Sequence, residues 1–95
     1  MDAYRGTVYT SEAASQLEAL VDEDIRYQIE PEEYQWLLER DPGGLGTPTV
    51  IEGEAVYIFL TAPKENGPRR LAITYRLLTD ERLIQVMDIR PLPIQ

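Results

Sequence analysis

The stretch Arg70-Leu71-Ala72-Ile73-Thr74-Tyr75-Arg76-Leu77-Leu78, the turn Thr79-Asp80-Glu81 and the run Leu83-Ile84-Gln85-Val86-Met87-Asp88-Ile89-Arg90 decide the fold of this chain. Leu71, Ile73, Tyr75 and Leu77 alternate with Arg70, Ala72, Thr74 and Arg76, the period of a strand with one buried face. Two such runs around a short polar turn predict an antiparallel hairpin. Pro91 and Pro93 cannot donate ladder hydrogen bonds, so the sheet is expected to end by Arg90.

Working back toward the start, residues 55–61 alternate Val56, Ile58 and Leu60 with Tyr57 and Phe59. Both sets are apolar, which predicts a strand covered on both sides or central in the sheet. Pro63-Lys64-Glu65-Asn66-Gly67-Pro68 reads as a polar turn. Thr49-Val50-Ile51 reads as a brief strand before the turn Glu52-Gly53-Glu54. Arg40-Asp41-Pro42-Gly43-Gly44-Leu45-Gly46-Thr47-Pro48 is a loop by composition. Its glycines lack the Gly-Lys-Ser/Thr ending of a phosphate cradle, so it is read as a connector.

The first half supplies a strand over 4–9 and then helices. Ser11 is expected to cap a helix over about 11–21, with Glu12 at the positive end of its dipole. Ala13, Leu17, Leu20 and Val21 form its buried stripe. Asp22-Glu23-Asp24 reads as an exposed turn that caps a second helix. Pro31 falls inside that helix, where a proline costs ~3 kcal/mol or more. The helix is therefore expected to kink, or to break and restart with Pro31 at its first position. Tyr27, Tyr34, Leu37 and Leu38 are expected to line one face, widened by Ile25, Ile29 and Trp36, with Trp36 as a core anchor.

Ninety-five residues suit one domain over 1–95, which at this size buries about 60–65% of its unfolded surface. No apolar run approaches the ~20 residues of a membrane span. The first residues lack the layout of a signal peptide, so a cytosolic location is expected. Without Cys or His, the chain has no thiolate nucleophile, disulfide or usual transition-metal ligand, and neither a cofactor nor a metal is expected. Proton transfer would fall to carboxylates, Tyr, Arg or Lys64. The net charge is −8 and uneven: residues 1–54 hold 13 acids and 3 bases, residues 55–95 hold 4 acids and 6 bases. Strong non-specific nucleic-acid binding needs several Lys or Arg on one face, and this balance opposes it. Arg70 and Arg76 have a plain alternative role in cross-strand pairs with Glu54 or Asp88.

The order strand, helical hairpin, three-stranded antiparallel sheet, an α+β architecture, resembles the RelE/ParE toxin superfamily. Tyr9-Thr10-Ser11-Glu12-Ala13-Ala14 with Leu17-Glu18-Ala19-Leu20 is similar to the family's strand-to-helix entry. Leu37-Leu38-Glu39-Arg40-Asp41-Pro42 resembles the end of its second helix, and residues 70–75 with 80–90 its closing hairpin. The resemblance implies the toxin of a toxin–antitoxin module with an antitoxin protein as partner. Its target would be ribosome-bound mRNA, or gyrase as for toxins of the ParE type. A non-catalytic interaction domain on the same scaffold is the other reading.

Ribonuclease members use Lys, Arg and a Tyr or another acid/base near the C-terminus. Here the family's central-strand Arg falls on Ala72. Arg70 stands two residues earlier on the same strand face, displaced by roughly 6–7 Å. Arg90 matches the basic position closing the last strand. Arg69, Arg70 and Arg90 are accordingly the candidates for contacting a target's phosphates, and the catalytic residues stay unassigned. Free ladder groups on edge strands also admit a homodimer.

Overall fold

The computed structural model describes residues 4–28, 30–62 and 69–93. Their elements in chain order are β1 (Gly6–Tyr9), α1 (Ser11–Glu23), a short 3-10 turn (Ile25–Gln28), α2 (Glu30–Arg40), α3 (Pro42–Leu45), β2 (Thr47–Ile51), β3 (Glu54–Leu60), β4 (Leu71–Leu78) and β5 (Leu83–Pro91). One five-stranded sheet has the order β1-β5-β4-β3-β2. β2 to β5 form an antiparallel meander, and β1 joins parallel to β5.

The expected three-stranded meander thus gains a fourth member, because the brief strand at residues 49–51 extends to Thr47 and pairs along β3. Its hairpin closes through Glu52 and Gly53, both at positive φ (52° and 79°). Two consecutive left-handed residues match the right-handed twist of the flanking strands. β5 runs one residue further than expected, to Pro91, which stands opposite Leu71. The pairing then continues through Leu92 N–H to the Arg70 carbonyl at 2.8 Å, so the proline's missing donor is bypassed.

The helices cover one face of the sheet. Ala13, Leu20, Tyr27, Tyr34 and Leu38 pack against Leu71, Ile73 and Tyr75 of β4 and Ile84, Val86 and Ile89 of β5. Tyr57 and Phe59 extend this layer from β3. The alternate residues of β3 point to the uncovered face. Of that set Val56 is buried, Ile58 half-buried and Leu60 45% exposed, so no second layer covers it among the described residues. β3 is an interior strand, between β4 and β2, as the alternative expectation had it, and β4 lies at the middle of the five.

The chain breaks near Pro31. A 3-10 turn ends at Gln28 and α2 begins at Glu30, which puts Pro31 in the first helical turn, where its absent N–H has no helical partner to lose. Asp24 starts the 3-10 turn by accepting from Arg26 N–H (3.0 Å), and the Arg26 guanidinium holds its carboxyl below the usual carboxylate range. α1 runs to Glu23 rather than about residue 21, so Asp24 alone carries the turn expected of three acids.

Two helical expectations are corrected. Trp36 is 58% exposed and Leu37 40%. Tyr34 and Leu38 set the inward face of α2, and at about 100° per residue Trp36 lies roughly 200° away from Tyr34. Trp36 instead carries the Arg40 guanidinium 4.6 Å from its ring centroid, one turn along the same outer face. Ile25 is also exposed. Ile29, Lys64 and the polar turn at residues 63–68 lie outside the described residues.

The cap of α1 is Thr10, not Ser11: its hydroxyl accepts from Ala13 N–H at 3.2 Å. Thr10→Ala is therefore expected to cost about 1 kcal/mol, lowering the melting midpoint by about 4–8 °C, while Ser11→Ala leaves it nearly unchanged. Thermal unfolding followed by circular dichroism separates the two.

Candidate functional site

The uncovered face of the sheet holds a concavity of ≈ 580 Å³. Register explains its composition. Val56 and Ile58 on β3 share a face with Ala72 and Thr74 on β4, because Ile58 stands opposite Thr74 and Leu60 opposite Ala72. On β5, Asp88 stands opposite Thr74 and Arg90 opposite Ala72, and both reach the same space. Apolar and small side chains make the floor. The rim is net acidic: Glu12 from the first turn of α1, Glu52 and Glu54 from the β2–β3 hairpin, and Asp88 from β5 stand with the Arg90 guanidinium, which pairs with Asp88, and with Arg76, which pairs with Glu54.

One wall depends on an irregularity. The β4–β5 register shifts between Thr74 and Tyr75, so Met87 is an extra residue on β5. Such a bulge interrupts the ladder and leaves backbone groups to be satisfied elsewhere. Beyond Tyr9, where β1 ends, the outer edge of β5 is closed by Gln16 of α1: its Oε1 accepts from Ile89 N–H (2.7 Å) and its Nε2 donates to Asp88 Oδ1 (2.9 Å). Thr10 assists, its N–H donating to the Val86 carbonyl (3.0 Å) and its hydroxyl to the Met87 carbonyl (3.4 Å). The bulge and α1 therefore fix Asp88 and Glu12 on the same side of the concavity.

The three candidate arginines gather at one end of the sheet, where β4 begins and β5 finishes, and each has a structural partner. Arg69 Nε donates to the Leu92 carbonyl (2.7 Å), and its backbone N–H to the Tyr27 hydroxyl (3.0 Å). Arg70 precedes the strand it was expected to open, and its Nε donates to the Thr61 carbonyl (2.8 Å). Thr61 is buried and also bridges back to β4, its hydroxyl accepting from Leu71 N–H (2.8 Å). Arg90, with a side chain 75% exposed, pairs with Asp88 (2.9 Å). Arg90 alone of the three lines the concavity. Arg76 bears out the cross-strand alternative by pairing with Glu54 across the open face, and it donates to Gln85 on its other side. Arg70 takes a backbone carbonyl instead of either carboxylate.

Tyr75 is excluded from acid/base work. Its ring is fully buried, stacked on Tyr57 at 5.4 Å between centroids, and its hydroxyl donates to the Pro42 carbonyl. Burial pushes its phenol well above the ordinary tyrosine value. The other tyrosine hydroxyls near the helices are also structural. Tyr9 and Tyr34 share a hydrogen bond at 2.8 Å, with Gln35 donating to Tyr9. Among the described residues, no group of three or more carboxylates is placed to hold a metal ion. No helix among them is long and apolar enough to cross a membrane.

Sequence reasoning missed the roles of Glu12, Asp88 and Gln16. The available signal was β3, whose second apolar set has no second layer of helices to cover it among the described residues. That set had to face either a partner or water.

No protein-family model matches the sequence. No curated protein matches it either. Among solved structures, the chain matches a chain in the crystal structure of the RelBE2 toxin–antitoxin complex from Mycobacterium tuberculosis. The TM-score is 0.66 at 18% sequence identity, over 97% of this chain and 94% of that one. At this identity the likeness is one of fold, and it bears out the order of elements expected from the sequence: the chain has a RelE-like α+β fold.

Proposed function

We propose that this chain is the toxin-type component of a toxin–antitoxin module, working in the cytosol and held silent by a small antitoxin protein. The likeness over 97% of the chain to a chain of a toxin–antitoxin complex carries this reading. The open sheet face, where Ile51 and Leu60 are 46% and 45% exposed, supports it, since exposed apolar surface of that kind marks an interaction site.

Action on a protein target, as for gyrase-directed toxins, or a purely non-catalytic role, is favoured over cleavage of ribosome-bound mRNA. The observation behind this preference is the acidic rim. Stabilising the charge that develops at a phosphate during RNA cleavage needs preorganised cations. Here Arg69 and Arg70 hold backbone carbonyls, and Arg90 already pairs with a carboxylate.

Induced expression in a bacterium without the partner tests both levels. Growth arrest relieved by co-expression of an antitoxin is expected, with no new mRNA ends and no effect of Arg70→Ala or Arg90→Ala on the arrest. Unimpeded growth would overturn the toxin reading. New mRNA ends that disappear in those two variants would restore the nuclease reading and give Arg70 and Arg90 the phosphate contacts.

A further inference from the structure

We infer that the concavity on the uncovered sheet face is a docking groove for a cationic, amphipathic segment of a protein partner. The inference names the chemistry of the partner in the reading above and rests on that reading only for the partner's biological identity.

Two independent features point to this occupant. The floor, made by the half-buried Ile58, Ala72 and Met87 over a buried Val56 and flanked by Ile51 (46% exposed), is an apolar surface that no helix among the described residues covers. Its capacity of ≈ 580 Å³ falls within the range that takes several inserted side chains. Small polar ligands would leave that floor wet. The rim sets the charge of the occupant: Arg76 pairs with Glu54 and Arg90 with Asp88, and the exposed Glu12 and Glu52 leave the rim net negative. A concave site lined mostly by one sign of charge concentrates the opposite sign and raises the rate of its arrival.

The same features exclude the other occupants. RNA and anionic lipid would bring phosphates against the carboxylates. A second copy of this chain, with a net charge of −8, would press an acidic rim against an acidic surface. A polyamine satisfies the rim and ignores the floor. A segment carrying Lys or Arg on one side and Leu, Ile or Val on the other satisfies both. This assigns the positive charge to the partner and the negative charge to the folded domain.

The probe is a labelled amphipathic Lys/Leu peptide of about 15 residues, with two companions in which Glu replaces every Lys or Ser replaces every Leu. Binding to the full chain is read by fluorescence anisotropy across a salt series. The Lys/Leu peptide is expected to bind, and both companions to bind at least about tenfold more weakly. Charge reversal at two exposed rim positions, Glu12→Lys with Glu52→Lys, is expected to weaken it about tenfold and flatten its salt dependence. Reversal at two exposed positions of α1 outside the groove, Glu18→Lys with Glu23→Lys, changes the net charge equally and is expected to weaken it less than about twofold.

Equal losses from the two pairs would mean attraction to net charge alone and would overturn the groove, as would retained binding of the Ser companion. Sedimentation that shows a dimer lost in the Glu12→Lys/Glu52→Lys protein would instead give the groove to a second copy. Growth arrest without peptide binding leaves the toxin reading standing and this inference refuted; peptide binding without growth arrest does the reverse.

Discussion

Tyr75→Ala is expected to destabilise the protein by about 3–5 kcal/mol, enough to lower the melting midpoint by at least about 12 °C in a domain of this size. Several structural functions meet in that side chain. Its ring is fully buried between the helical layer and the sheet, and it stacks on Tyr57. Its hydroxyl supplies the donor for the Pro42 carbonyl at the start of α3. It also sets the spacing of the next loop, because a Cβ at Gly46 would lie 2.2 Å from the Tyr75 hydroxyl oxygen. Removing the ring opens a cavity and releases the loop together.

Tyr75→Phe isolates the hydroxyl and is expected to cost about 1–2 kcal/mol through the orphaned carbonyl. It also changes the alkaline limb of stability. The folded phenol is held neutral by burial, so its pKa is raised above that of the unfolded chain. From about pH 10 the unfolded chain sheds this proton while the folded chain keeps it, and stability falls as pH rises. The wild-type protein should lose this increment above pH ~10, and the phenylalanine variant should not. Denaturant midpoints at neutral and alkaline pH measure both effects.

Gln16→Ala is expected to cost about 2–3 kcal/mol, more than an ordinary helix-surface substitution. The amide closes the edge of β5 beyond the end of β1 at the Ile89 N–H and holds one oxygen of Asp88, and Ile89 is only 2% exposed. Water cannot easily replace an acceptor there. Gln16→Glu keeps an acceptor for Ile89 but sets a second carboxylate against Asp88. Its deficit should therefore shrink as added salt screens the two charges, whereas that of Gln16→Ala should persist. Chemical denaturation at two salt concentrations distinguishes them. If both variants matched the wild type, the edge of β5 beyond β1 would not depend on α1 for its hydrogen bonds.

The legible parts of this fold are those with a strong local period or a strong breaker. β4 reads directly from Leu71, Ile73, Tyr75 and Leu77, all on the core side. The interruption near Pro31 follows from the missing donor, and α1 from its apolar stripe. What stayed hidden depends on pairing between distant residues. α3 forms within a stretch rich in glycine because the Asp41 side chain accepts from Gly44 N–H (3.2 Å) and Tyr75 holds the Pro42 carbonyl. Neither contact leaves a periodic trace. β2 gains two residues from its partner β3, one of them a proline.

The site was less legible for the same reason. Glu12 and Asp88 are 76 positions apart, and only the Met87 bulge and the Gln16 bridge bring them to one rim. The arginines stood out because cations near a sheet end suggest phosphate, but composition does not reveal which cations have carbonyl partners. Trp36 was misplaced by weighting its size above its angular position on α2.

The parallel pairing of β1 with β5 has a consequence for synthesis. Gly6 lies opposite Leu83, and β5 separates β1 from the rest of the sheet. A ribosome adding about 5–20 residues per second needs roughly 4–15 s to travel between those positions. Throughout that interval the first strand has no ladder to join, and α1 lacks the strand on which Gln16 and Thr10 close. The meander β2–β3–β4 can zip earlier from neighbouring segments, but the open-face groove lacks its β5 wall until the final strand emerges. Nascent chains halted before Leu83 should consequently be protease-sensitive from the first helix onward, and any partner that reads the finished groove must wait until residues 83–91 have been made.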